Sequence, residues 1–344
     1  MIIPQKDKLS QEELATVEAI AAEFNCTIRP IVGHGMSVYA IIGDETSQLL
    51  FNRIEGLPFV RRVDRIQVPY KVLSKDNSSG KPTLKFNGKE LGKDFVVFGG
   101  HCAIDPENPN LFIDTAHALK EAGVDALRGG VWKPRTSPYA FQGDAKAIDV
   151  LLRAREETGL QIITEVMEYE EVRLCVDSGV DVLQVGARNA LNYRLLTQIG
   201  LLTKDKDIAV LLKRSIHMGP VDEMILAAEY IAGSGNNNIM LCPRGTAPAM
   251  NGYRNHPDES ITQLIKERTW APVVVDPSHA VGKAAYVPKA ALAAAAYGAD
   301  GVIIESHCNP MKGTGDDPKQ AVTPQVMAEL IPALRAVAEQ SRKF

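Results

Sequence analysis

No uninterrupted apolar run in this 344-residue chain reaches the length needed to span a bilayer, which argues against helices that cross a membrane. Met1-Ile2-Ile3-Pro4-Gln5-Lys6 lacks the basic, apolar and small-residue layout expected of a secretory leader. Cationic excess is missing as well. The 38 Lys and Arg stand against 42 Asp and Glu, a net charge of −4, so neither nucleic acid nor an anionic membrane is an expected partner. Cysteine is sparse: Cys26, Cys102, Cys175, Cys242 and Cys308 are scattered and form no CxxC pair. An odd, unpaired set in a chain of this size points to a reducing compartment, and a cytoplasmic enzyme is the expectation. The apolar fraction of 45% is ordinary for a soluble globular protein, and the length accommodates one large domain plus a small one.

Residues 1–75 read as the small domain. Ser10-Gln11-Glu12-Glu13 fits a helix start, and Leu14, Val17, Ile20 and Ala21 keep helical spacing up to Asn25. Strand-like runs at Thr27–Val32 and Ser37–Gly43, a helix over Ser47–Glu55 and a strand at Val60–Val68 come next. With Ile2-Ile3 as the first strand, the order is βαββαβ, the ferredoxin-like α+β arrangement. His34, in the Gly33-His34-Gly35 turn, is read as a loop residue rather than a ligand. Residues 76–83 are polar, carry Gly and Pro, and form the expected linker. Asn87-Gly88 between Thr83–Phe86 and Glu90–Leu91 signals a hairpin, expected to plug the floor of the larger domain.

From residue 84 to 344 one pattern repeats. Apolar strand-like runs occur at Phe95–Gly99, Ala126–Val131, Gln161–Val166, Val182–Val185, Ile208–Leu212, Ile239–Cys242, Pro272–Val275 and Gly301–Ile304. Amphipathic stretches such as Leu111–Glu121, Ala145–Glu157, Val221–Ile231, Lys289–Tyr297 and Pro324–Glu339 lie among them. Eight strand–helix units in this length predict a (β/α)₈ TIM barrel, with a doubly wound open sheet as the alternative.

In such a barrel, function sits at the C-terminal ends of the strands. Those ends carry Cys102; Arg128, Lys133 and Arg135; Glu165; Arg188; Lys213-Arg214; Arg244; Asp276 and His279; and Glu305 with His307. The stretch Leu127–Ser137 is the densest: three cations, two glycines that permit close backbone approach, a stiffening proline, and the hydroxyls of Thr136 and Ser137. Alone it could be a solvated basic loop. Together with the other strand ends, six cations (Arg128, Lys133, Arg135, Arg188, Lys213, Arg244) in an acidic protein would repel one another unless they meet a polyanionic ligand. A second group comprises Cys102, His279, Glu305 and an acid from Asp316-Asp317. A thiolate, an imidazole and carboxylates suit a divalent first-row metal (Mn, Co, Fe or Zn) better than Mg²⁺.

These segments carry a family resemblance. Leu127-Arg128-Gly129-Gly130, Lys133–Tyr139, Phe141-Gln142-Gly143, Thr164-Glu165-Val166-Met167, Gly186-Ala187-Arg188-Asn189, Leu211-Leu212-Lys213-Arg214, Asp276–Ala280 and Glu305–His307 resemble the type I beta 3-deoxy-D-arabino-heptulosonate 7-phosphate (DAHP) synthases. The N-terminal unit resembles the ferredoxin-like regulatory domain of that class. The resemblance implies condensation of phosphoenolpyruvate with erythrose 4-phosphate, releasing phosphate, at the start of the shikimate pathway. It implies metal ligation by Cys102, His279, Glu305 and Asp316. Arg188, Arg244 and the Ala187 N–H would hold the phosphoenolpyruvate phosphate; Arg128, Lys133 and Lys213 its carboxylate. Pro134, Arg135, Thr136 and Ser137 would position the aldose phosphate, and Glu165 a water. Lys133, Glu165, Lys213 and His279 are the catalytic candidates. An aromatic amino acid effector and a homodimer or homotetramer are implied too.

The chain departs from the family pattern at Gly100-His101-Cys102 (usually Gly-Pro-Cys), Cys242-Pro243-Arg244-Gly245 (Cys-Glu-Arg-Gly), Ser215 (Gly) and Thr246–Met250 (Ile-Arg-Thr-Phe-Glu), while Arg254-Asn255 returns in register. His101, a strand residue beside Cys102, is expected to point out of the barrel. The competing readings are a paralogous synthase adding phosphoenolpyruvate to a related or five-carbon aldose phosphate, a class I aldolase with Lys213 as a Schiff base, and a non-catalytic sensor.

Overall fold

The computed structural model describes residues 1–32, 37–44, 47–65, 68–77 and 81–344; the Gly33-His34-Gly35 turn and part of the expected linker lie outside the described residues. Contacts divide the chain into two compact units, Met1–Pro69 and Tyr70–Phe344.

The first unit holds β1 (Ile2–Pro4), α1 (Gln11–Ala22), β2 (Thr27–Val32), β3 (Ser37–Ile42), α2 (Gln48–Glu55) and β4 (Val60–Val63). Its antiparallel sheet runs β2-β3-β1-β4, the ferredoxin-like order. Ser10 and Glu13 form a complete capping box at the start of α1, as the sequence suggests. Ile2, Val17, Ile41, Leu50 and Ile54 fill the core between sheet and helices. The last strand ends at Val63, shorter than the run expected to Val68.

The second unit begins with a segment that is packed rather than extended. Tyr70 and Leu73 are buried, and the Glu229 carboxylate accepts from the backbone N–H groups of Lys71, Val72 and Leu73 at 2.6–3.0 Å. Trp270 Nε1 donates to the Val72 carbonyl at 2.8 Å. The boundary expected at residue 75 therefore falls inside a stretch that belongs to the barrel, because one carboxylate satisfies three successive N–H groups there. A hairpin, β5 (Lys85–Phe86) and β6 (Lys89–Glu90), turns through Asn87 and Gly88, both at positive φ.

The barrel then alternates β7 (Val96–His101), α3 (Pro109–Ala122), β8 (Ala126–Gly129), α4 (Ala147–Thr158), β9 (Gln161–Val166), α5 (Tyr169–Asp177), β10 (Val182–Val185) and α6 (Tyr193–Thr203). It continues with β11 (Ala209–Lys213), α7 (Val221–Ala232), β12 (Ile239–Cys242), α8 (Ile261–Arg268), β13 (Val274–Val275), α9 (Pro277–Val281), α10 (Val287–Ala296), β14 (Gly301–Glu305), α11 (Asp317–Gln320) and α12 (Pro324–Ser341). The eight strands are parallel in the order β12-β11-β10-β9-β8-β7-β14-β13, and a parallel bridge between Leu241 and Val273 brings the two edges together. An open doubly wound sheet is thereby excluded.

Side chains of a strand alternate faces, and this parity places the site. Val96, Phe98, Ala126, Ile163, Val182, Leu211, Met240, Val274 and Ile303 point inward, and Leu84, Phe86 and Leu91 of the hairpin close the floor beneath them. Val97, Leu127, Ile162, Leu183, Leu212, Val275 and Ile304 point outward against the helices. Two or four residues further along the inward column come Cys102, Arg128, Glu165, Gln184, Lys213, Asp276 and Glu305, so the apolar interior is topped by a layer of polar groups. His101 has outward parity: it stacks on His307 with ring centroids 3.7 Å apart and lies 2.9 Å from Thr115 Oγ1.

Candidate active site

The polar layer opens into a cavity of about 470 Å³. Lys133, Pro134, Arg135, Thr136, Glu165, Ala187, Arg188, Lys213, Arg244, His279 and Asp316 line it, so most of the expected positions converge. Arg128, Cys102 and Glu305 lie beneath the lining, all buried. Ser137 does not line the cavity; its Oγ accepts from the Tyr139 N–H within its own turn. His307 is likewise not on the cavity wall, being stacked on His101 outside the barrel.

Close backbone approach builds the wall. A Cβ at Gly130 would stand 2.4 Å from the Cys102 carbonyl, and one at Gly186 would stand 1.9 Å from Glu165 Oε1. Only glycine lets β10 end against the Glu165 carboxylate, whose Oε2 also accepts from Gln184 Nε2 at 3.0 Å.

The six cations do not confront one another bare, which corrects the simple expectation of mutual repulsion. Arg128 pairs with Glu305 at 2.8 Å, Lys213 with Asp276 at 2.6 Å, Arg135 with Asp316 at 3.5 Å, and Lys133 lies 3.9 Å from Glu165. Two remain. Arg188 is exposed and, among the described residues, donates only to Thr136 Oγ1 at 3.3 Å. Arg244 is 8% exposed and, among the described residues, has no hydrogen-bond or ion-pair partner. Burial pulls its guanidinium below the ordinary value. A buried, unpaired guanidinium facing a cavity is a receptor for an anion, since its desolvation is otherwise uncompensated.

Cys102, His279 and Glu305 bring a sulfur, a nitrogen and an oxygen within 4.8 Å of one another, all buried. Asp276 fixes the imidazole: its Oδ1 accepts from the His279 backbone N–H at 3.0 Å and its Oδ2 lies 2.8 Å from His279 Nδ1. Burial raises Asp276, yet His279 and Lys213 hold it well below the usual carboxylate range. Burial also lowers His279 to about 3 against the pull of Asp276 and Glu305, so the ring is neutral near pH 7. With its one proton on Nδ1 toward Asp276, Nε2 turns a lone pair on Glu305 Oε1 at 3.2 Å. Two acceptors facing each other without a proton between them call for a cation. Burial, then Glu305, pushes the Cys102 thiol up to about 12. The donor set thus fits a divalent metal ion, and the buried Cys–His–Glu triad could bind one.

Asp316 stands outside that cluster, although its Oδ2 is 4.0 Å from Cys102 Sγ; its oxygens meet Arg135 and, at 2.9 Å, Arg254. The neighbouring Asp317 is fully buried. Its Oδ1 accepts from the Cys102 N–H at 3.0 Å, while Oδ2 has no hydrogen-bond partner among the described residues. Burial and Glu305 raise this carboxyl to about 7. Gln184 was overlooked in the sequence although strand parity points it inward, whereas Arg254, Asn255 and Gln320 sit on loops and a short helix where no periodicity marks them.

Comparison with known proteins agrees with this geometry. Residues 81–342 match the model of the DAHP synthetase I family, and residues 1–68 match the DAHP synthase ferredoxin-like domain. A phospho-2-dehydro-3-deoxyheptonate aldolase of Thermotoga maritima is 35% identical over 98% of both chains. A 2-dehydro-3-deoxyphosphooctonate aldolase of Syntrophobacter fumaroxidans is 31% identical over 70% of this chain and 86% of its own length. The crystal structure of the T. maritima DAHP synthase superposes with a TM-score of 0.87 at 33% identity, covering 98% of this chain and 97% of that one. A truncated form of the same T. maritima enzyme covers 79% of this chain and 97% of its own, with a TM-score of 0.69. Matched along its barrel and its N-terminal domain alike, the chain belongs to the DAHP synthetase I family.

Proposed function

We propose that this protein is a DAHP synthase, joining phosphoenolpyruvate to erythrose 4-phosphate with release of inorganic phosphate. The observation that carries the reading is Arg244, buried and without a partner among the described residues, in the cavity that also holds His279 and Lys213. Arg244 and Arg188, with the Ala187 N–H, would take the phosphoenolpyruvate phosphate. Lys133, Lys213 and Arg128 would face its carboxylate, at the cost of loosening the pairs they make with Glu165, Asp276 and Glu305. Arg135, Thr136 and Pro134 would hold the distal phosphate of the aldose, with Ser137 supporting the turn. Cys102, His279 and Glu305 would hold Mn²⁺, Co²⁺, Fe²⁺ or Zn²⁺. The resemblance names Asp316 as fourth ligand, and its Oδ2, 4.0 Å from Cys102 Sγ on the cavity wall, supports that reading.

A bound divalent ion would supply a Lewis acid for the aldehyde oxygen. C3 of phosphoenolpyruvate then forms the new C–C bond at the aldehyde carbon, water adds at C2, and phosphate departs. Glu165, held by Gln184 against Gly186, would orient that water. Lys213 and the His279–Asp276 pair would move or hold the accompanying protons. The ferredoxin-like domain supports regulation by a small effector, for which an aromatic amino acid acting on a homo-oligomer is our reading. A class I aldolase is disfavoured by the 2.6 Å contact that occupies Lys213 Nζ with Asp276. Phosphate release from phosphoenolpyruvate and erythrose 4-phosphate, abolished by chelation and restored by Mn²⁺ or Co²⁺, tests the proposal; full turnover after exhaustive chelation refutes it.

A further inference from the structure

Gln320 closes the short helix α11 and is 1% exposed. Its Nε2 donates to Glu305 Oε2 at 2.6 Å, and its Oε1 accepts from Arg254 Nη1 at 3.1 Å. The orientation of the amide is forced. An ionised carboxylate cannot donate and a guanidinium cannot accept, so a flipped amide would set acceptor against acceptor and donor against donor. The same Arg254 nitrogen reaches Asp316 Oδ2 at 2.9 Å. The two oxygens of Glu305 therefore have different surroundings: Oε2 is occupied by Gln320, whereas Oε1 receives Arg128 at 2.8 Å and faces His279 Nε2.

We propose that Gln320 is a positioning residue that keeps Glu305 a one-oxygen metal ligand, with Oε1 turned toward His279, and ties that orientation through Arg254 to the Asp316 turn. The proposal rests on the reading of Cys102, His279 and Glu305 as a metal site. Without the amide, Arg128 alone holds the Glu305 carboxylate and Oε2 is released to approach the ion, which lowers the preorganisation of the site and enlarges the coordination it presents.

The test titrates metal-free full-length protein with Co²⁺ against a competing chelator and records the visible absorption of the bound ion, which loses intensity as coordination expands. Q320M keeps the length of the side chain but cannot donate. It is expected to bind Co²⁺ about 10–100-fold more weakly, as losses of hydrogen bonds to metal ligands do, with weaker absorption. Thermal unfolding of the metal-free protein should stay close to wild type. Should Q320M fail to fold, Q320N, which keeps the amide but withdraws it by one methylene, is read the same way. Unchanged affinity and spectrum in the folded variants overturn the proposal. Failure of wild type to bind Co²⁺, or a C102S variant with unaltered sulfur-to-metal absorption, would instead overturn the metal site itself.

Discussion

Metal binding should depend on pH more steeply, and further into the alkaline range, than an ordinary thiol allows. Coordination requires the Cys102 thiolate, and the thiol must lose its proton on metal entry. His279, lowered by burial to about 3, and Glu305, which burial raises but Arg128 and Lys133 hold well below the usual carboxylate range, have no proton to give above pH 6. Cys102, pushed up to about 12 by burial and Glu305, is then the one proton released, and log K rises by about one per pH unit throughout the neutral and alkaline range. From pH 7.5 to 9.5 the affinity should grow about a hundredfold, where a thiol of ordinary pKa, about 8.5, would give about tenfold and level off. Below pH 7 a second proton enters the balance if metal entry ionises Asp317, raised to about 7. The slope then steepens toward about two. Competition titrations of Co²⁺ with a chelator of known pH dependence, on wild type and C102S, measure both regions. A plateau by pH 9 in wild type, or an unaltered slope in C102S, would refute the assignment of Cys102 as a buried ligand that must deprotonate.

Three further outcomes are expected from the geometry. R244A should raise KM for phosphoenolpyruvate roughly 10–100-fold with little change for the aldose, because a charged hydrogen bond in a buried setting contributes about 1.5–3 kcal/mol; steady-state kinetics with each substrate varied would show the split. G186A places a methyl group 1.9 Å from Glu165 Oε1 and should displace that carboxylate, costing about 1–3 kcal/mol in denaturant-unfolding stability together with most of kcat. A chain beginning at Tyr70 retains the N–H groups held by Glu229 and should melt near wild type, whereas one beginning at Lys81 loses them along with the buried Tyr70 and Leu73 and should melt several degrees lower. Calorimetry of the two truncations separates these cases.

The barrel was legible because eight apolar runs of strand length recur among amphipathic helices, and because strand parity carries over from the apolar column to Cys102, Arg128, Glu165, Lys213, Asp276 and Glu305. The same parity placed His101 outside the barrel, against Thr115 and His307. Charge balance was harder to read. The sequence displays six cations but not which acids fold against them, and Asp276 and Glu305 come from strands remote in sequence from Lys213 and Arg128. The packed start of the barrel is hidden for a similar reason: residues 70–75 look like the tail of the small domain, and their backbone is satisfied by Glu229, Arg268 and Trp270, each more than 150 residues away. Gln320 and Arg254 lie where no period marks a side chain as inward. Between Asp316 and Asp317, adjacency in sequence hides a large difference in burial.

The central claim is tested most directly by the choice of acceptor. With phosphoenolpyruvate and Mn²⁺, the ratio of kcat/KM for erythrose 4-phosphate over five-carbon aldose phosphates should strongly favour the four-carbon aldehyde, and mass spectrometry should identify a seven-carbon 3-deoxy product. A preference for a five-carbon acceptor with an eight-carbon product, or phosphate release without a new C–C bond, would contradict the account.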